Sequence, residues 1–125
     1  MTQEEKSLLL KDLCARLLYG IKCKDQYGEY IDVNIYNAHL EHLVDQISSG
    51  IVQMVLRPMS SMTEEEDKKR IELGIWINTI KGNKVTAIDK NVDEALEWLN
   101  AHHFDYRGLI EKGLALEAPK EMYKI

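Results

Sequence analysis

Long apolar runs, a basic arm, paired cysteines and catalytic signatures are all missing from this sequence, and each absence removes a class of function. No stretch approaches the roughly 20 apolar residues that a membrane-spanning helix needs, so no membrane role is expected. The opening, MTQEEKSLLLKDL, puts acidic residues first and interrupts its leucines with Lys11 and Asp12. A secretory signal has a basic start and an unbroken apolar centre, so the expected location is the cytoplasm. Cys14 and Cys23 are nine positions apart, outside any Cys-x-x-Cys pair, and two thiols in a reducing compartment stay free. The formal net charge is −5. Residues 1–60 hold 6 Lys and Arg against 8 Asp and Glu, and residues 61–125 hold 10 against 13. Neither half is basic, which argues against nucleic acid as the partner. There is no glycine-rich phosphate loop, no Gly-x-Ser-x-Gly and no Cys/His zinc spacing. No cofactor is expected.

What is present suits one α+β domain spanning residues 1–125. The length is that of a single domain, and the 45% hydrophobic content is enough for one core. Residues 3–18 read as a helix. Thr2 and Glu5 stand at capping-box spacing, and Leu10, Leu13, Cys14 and Leu17 share a face. Cys14 is thus expected in the core. Ile21 and Cys23 alternate with lysines, and Ile31, Val33 and Ile35 alternate with Asp32 and Asn34. The turn-like DQYGE lies between, so this stretch predicts a β-hairpin. Residues 37–56 fit either a helix or a third strand. The sheet over 19–56 is expected to be antiparallel, with an SH3-like barrel as the alternative.

The stretch LRPMSSMTEEE, Leu56–Glu66, reads as a helix start. Thr63 and Glu66 form a second capping box, Glu64–Glu66 face the positive end of the helix dipole, and Met59 and Met62 fold onto the core. That helix is predicted to run to about residue 78. Lys81–Lys84 reads as a loop, and residues 81–91 as irregular. Asn91 or Lys90 starts another helix, with Val92, Leu96, Leu99 and His103 on one face. FDYRGLIEKG predicts a turn and a short helix closed by Gly113. The C-terminal half is therefore expected to be helical. The last residues are either loose or docked through Met122 and Tyr123.

Two groups of residues invite chemistry. His39 and His42 are three apart, with Glu41 and Asp45 nearby. On a helix they would share a face and be able to hold a metal; ordinary surface histidines are the simpler reading. His102 and His103 precede Phe104, Asp105, Tyr106 and Arg107. As a catalytic site, one histidine would be the base, Asp105 its orienter and Arg107 an anion holder. As structure, the histidines end a helix, Asp105 caps the next turn, and the aromatic residues pack the corner. Trp98, Phe104, Tyr106 and Arg107 would then offer a binding surface.

LRPMSSMTEEE and WLNAHHFDYRGLIEKGLALEAP together resemble blocks of a family of small gut-bacterial proteins, often found in prophage or mobile-element neighbourhoods. The family has no established activity to carry over. It has glycine near the position of Lys120-Glu121. The resemblance implies a bacterial cytoplasmic protein of phage or mobile-element origin. The function expected is that of a non-enzymatic accessory protein that binds another protein. The alternative is a small enzyme acting on nucleic acid through residues 102–107.

Overall fold

A computed structural model describes residues 1–78 and 84–123. The order is α1 (Gln3–Arg16), β1 (Ile21–Asp25), β2 (Tyr30–Val33), α2 (Leu40–Ser48), β3 (Val52–Pro58), α3 (Glu64–Glu72), β4 (Ile75–Asn78), β5 (Lys84–Ile88), α4 (Val92–Ala101), β6 (Phe104–Asp105) and β7 (Leu116–Glu117). The fold is α+β. β1 pairs antiparallel with β2 and β3, while β6 and β7 pair parallel with β3. β4 and β5 form a separate antiparallel ribbon. The main sheet is therefore mixed rather than antiparallel, and among the described residues no barrel closes.

Both capping boxes form. Thr2 and Glu5 exchange side-chain and backbone hydrogen bonds, and so do Thr63 and Glu66. The hairpin stands where alternation puts it, turning at Gly28, whose φ of +84° suits glycine. Residues 37–56 resolve into both options, α2 followed by β3. Met59 is buried, and Met62 packs beside it.

The corrections have local causes. The buried stripe of α1 is Leu9, Asp12, Leu13 and Arg16, so Cys14 and Leu10 face outward. Asp12 and Arg16 can be buried because they pair with each other, which turns the helix away from the leucine–cysteine face. α3 stops at Glu72, well short of residue 78. Gly74 takes a φ of +72°, and a Cβ there would strike Asp89 Oδ1. Ile75 and Ile77, whose alternation suits a strand as well as a helix, form β4 instead. Residues 84–88 are a strand rather than irregular; the loop expected at 81–83 lies outside the described residues. Among the described residues, no helix forms after Tyr106. Gly108 and Gly113, both with positive φ, bracket four residues, too few for a stable helix. Among the described residues, the C-terminal half thus holds two helices and four strands.

Two apolar clusters result. The first joins α1, β1, α2 and β3 with Leu109, Leu114 and Ala115. The second holds Met59, Leu73, Ile75, Ala95, Leu99, Phe104 and Tyr106.

Candidate functional site

The end of α4 sets the geometry of residues 98–107. His102 is the C-cap, and His103 follows with a φ of +62°, the one non-glycine residue described with positive φ. Its N–H donates to Asn100 O at 3.1 Å, which is half of a Schellman closure. This kink sends the two histidines apart. His102 packs on Trp98, with ring centroids 4.8 Å apart, and its Nδ1 lies 2.9 Å from Trp98 O. His103 stacks on Tyr123 at 4.1 Å. Its Nδ1 is buried with no partner among the described residues. Burial, helped by the nearby charges of Arg16, His102 and Arg57, pulls its pKa down to about 4.

Asp105 serves neither histidine. Its Oδ1 accepts from Leu109 N–H and its Oδ2 from Ile110 N–H, both at 2.9 Å. Arg107 turns toward α1. Its Nε donates to Asp12 Oδ1 at 3.1 Å, and one terminal nitrogen donates to Tyr106 Oη at 3.3 Å. Arg16, fully buried, donates twice to Asp12 and once to Phe104 O. Both guanidinium groups lie over the Tyr106 ring, at 5.3 and 5.0 Å, and Tyr106 Oη donates to Asn100. One carboxylate and two arginines thus tie α1 to the chain after α4.

The residues expected to form a site are therefore gathered in sequence and dispersed in function. Phe104 and Tyr106 are core residues, so the expected patch with Trp98 does not form at the surface. Arg107 is committed to Asp12. His39 is the extended N-cap of α2 (φ −96°, ψ 114°), and His42 lies in its first turn. Among the described residues, no three His, Cys, Asp or Glu side chains are grouped to hold a metal.

Two cavities flank the C-terminal segment. The larger, about 760 Å³, is lined by residues that include Arg57, Ser60, Glu65, His102, Lys120 and Tyr123. Here the LRPMSSMTEEE stretch meets the end of the chain. Arg57 grips Glu66 with two hydrogen bonds, at 2.7 and 2.8 Å, and lies 4.2 Å over the Phe104 ring. Burial pushes the Glu66 carboxyl up, but Arg57 and the Thr63 N–H outweigh it, and its pKa falls below the usual value. The smaller cavity, about 340 Å³, includes Gly20, Lys22, Asp32, His103, Met122 and Tyr123. His102 lines only the first of these two and His103 only the second.

Sequence reasoning missed three features. Asp12 and Arg16 sit at i, i+4 within the apolar stripe of α1, a legible sign of a buried pair. Docking through Tyr123 is one of the two expectations for the last residues, but its partners Lys22, Val55 and His103 left no local sign. The third is the first hairpin and the turn after it, where Tyr27, Tyr30, Ile31, Ile35 and Tyr36 are all exposed, Tyr27 by 82% and Tyr36 by 92%. Comparison of the chain with protein-family models, curated proteins and solved structures returns no match. No helix among the described residues is long and apolar enough to cross a membrane.

Proposed function

We propose that the chain is a non-enzymatic accessory protein that works by docking another protein on the β1–β2 hairpin. The resemblance of its two sequence blocks supports a phage or mobile-element origin. The observation that carries the docking reading is the run of five exposed apolar side chains within residues 27–36. Tyrosine is favoured at protein interfaces because it offers a large, stiff apolar face with a polar tip.

β2 is also an edge strand. The Asp25 N–H bond to Glu29 O sets the phase of its ladder, which turns the peptide groups of Tyr30 and Asp32 toward the open side. Asn37 Nδ2 already covers Asp32 O, at 3.0 Å. Tyr30 is left as the point where an added strand would pair. The partner is an extended segment of another protein, apolar at its centre and basic at its flank. The basic flank follows from Asp25, Glu29 and Asp32, which outnumber Lys22 and Lys24 on this hairpin, and from the net charge of −5.

Tyr27→Ala with Tyr36→Ala tests this, because side chains so exposed can be removed without disturbing the fold. Native mass spectrometry of the chain purified from its host is expected to show a second chain, and the double variant is expected to lose it while melting at the same temperature. An unchanged complex, or a bare chain of 14.5 kDa, overturns the reading.

The alternative enzyme centred on His102, His103, Asp105 and Arg107 needs these side chains in one cleft. The opposed histidines and the committed Asp105 and Arg107 make it the weaker reading.

A further inference from the structure

α1 is apolar on two faces. Its inner stripe is Leu9, Asp12, Leu13 and Arg16. A second line, Leu10, Cys14 and Leu18, runs along the outer face at intervals of four. All three side chains are exposed, Leu18 by 66%. Leu18 belongs to the turn that carries the helix on past its cap, closed by Tyr19 N–H donating to Arg16 O. A helix on the surface of a water-soluble domain ordinarily places its charges on the outer face. Here residues 7–19 hold three charged side chains, and Asp12 and Arg16 are buried against each other. Lys11 is left as the one exposed charge of this stretch, in a chain that is 30% charged. Depletion of charge around exposed apolar side chains is the mark of an interface core.

The same face runs into a groove of about 280 Å³ between α1 and α2. Leu10 and Val44 supply its apolar walls, and Lys6, Glu41 and Asp45 stand around them, two carboxylates to one ammonium. The symmetry of the line decides what fits this surface. Leu10 and Leu18 stand four residues to either side of Cys14. Turned end for end about Cys14, the line maps onto itself, with Leu10 falling on Leu18 and Leu18 on Leu10. A two-fold contact needs a surface that is its own complement in this way. The small Cys14 at the crossing point lets two helices approach closely, and the leucines pack on either side of it. The reversal also carries Tyr19, partly exposed beside Leu18, toward the groove of the facing molecule. The groove walls match the face of a phenol ring, and its carboxylates accept from a phenol hydroxyl.

We propose that the outer face of α1 is a dimerisation surface for a second copy of this chain. The two helices pair antiparallel with Cys14 on the two-fold axis. Leu10 of each copy packs on Leu18 of the other, and Tyr19 of each enters the α1–α2 groove of the other. Such a contact closes at two copies and builds no filament. It does not use the β1–β2 hairpin, so either reading can fail without the other. The doubled mass of this dimer is distinct from the added mass of a different chain on the hairpin, and Tyr27→Ala with Tyr36→Ala leaves it in place.

The test uses the full-length chain. A contact of this size stands at the weak end of specific interfaces, so sedimentation equilibrium is run at roughly 100 μM. The expected mass is twice the 14.5 kDa of one chain. Leu18→Lys is expected to weaken the dimer at least roughly tenfold and to leave the melting temperature in dilute solution unchanged. Adding Leu10→Glu to that variant is expected to restore the dimer, because each introduced charge then meets its opposite across the contact. The two positions are eight residues apart, too far to pair within one helix. A short bis-maleimide is expected to join two chains through Cys14 and to fail with Cys14→Ser. Cys23 cannot replace it, being buried with its thiol pushed up to about 12. A single-chain mass at this concentration overturns the proposal, and so does a dimer that survives Leu18→Lys or resists cross-linking at Cys14. A double variant that stays single overturns the antiparallel pairing. If Leu18→Lys lowers the dilute melting temperature, Leu10→Glu by itself makes the same test from the other end of the contact.

Discussion

The two apolar clusters of this protein are enclosed in different ways. The first lies under the helices α1 and α2 and the antiparallel strands β1–β3, and its side chains are aliphatic apart from Cys23 and Met54. The second is enclosed by α4, the β4–β5 ribbon and the region around Met59, while α3 contributes no buried residue from Glu64 to Glu72. Polar bonds do more of the holding there. Arg57 binds Glu66, Arg70 donates to Ile75 O at 2.9 Å, and Trp76 Nε1 donates to Asp89 at 2.7 Å. A cluster closed by apolar area resists single polar changes at its margin. A cluster closed by caps and ion pairs depends on each of them.

The largest effect should come from the joint between the two. Asp12→Ala leaves Arg16 fully buried without its carboxylate and also frees Arg107. Removing one partner of a buried pair costs about 3–5 kcal/mol. Urea denaturation followed by tryptophan fluorescence and by circular dichroism should show both regions weakened together. A loss confined to one probe would mean that the clusters unfold independently. Gly74→Ala is the sharper test of the second region. The new Cβ meets Asp89 Oδ1 and Lys90 at positive φ, so a loss of about 1–3 kcal/mol is expected. Amide exchange should rise in β4 and β5 and hold steady in β1–β3. Thr63→Ala removes one cap of α3 and should cost about 1 kcal/mol, read as faster exchange at Glu66 N–H.

A further effect is a pH slope, absent at neutral pH. His103 has a folded pKa of about 4 against an ordinary value of 6.5. Between these values the unfolded chain binds more protons, so stability is complete above about pH 6.5 and declines as pH falls toward 4. His103→Asn, which tolerates the left-handed backbone, should flatten the melting temperature across that window. The Glu66 contribution, present above its ordinary pKa of 4.5, should be lost only at lower pH.

The first region was the more legible in sequence, and the reason is physical. Hairpin alternation and capping boxes are local signals, and they placed β1, β2 and both helix starts. The error in α1 arose because a pair of opposite charges occupied positions that hydrophobic periodicity assigns to leucine. In the second region, one glycine overruled a run of isoleucines that suits helix and strand alike. Residues 98–107 drew attention for a sound reason, since polar and aromatic groups were concentrated there. Their partners, however, lie elsewhere in the chain, with Asp12 and Arg16 the most distant. No local pattern distinguishes a histidine aimed at a substrate from one stacked on the end of its own chain.

The same long reach bears on the order of synthesis. Arg16 meets Phe104 O across 88 positions, Arg107 meets Asp12 across 95, and Lys22 meets Tyr123 across 101. While the ribosome is still making the second half, the nascent first half holds an arginine–carboxylate pair without its cover and a β3 strand without β6 or β7. Folding can begin there, but those contacts cannot form until Arg107 and Tyr123 emerge. A chain stopped early would present the unpaired β3 strand to its neighbours, the kind of exposed surface on which aggregates and chaperones both act.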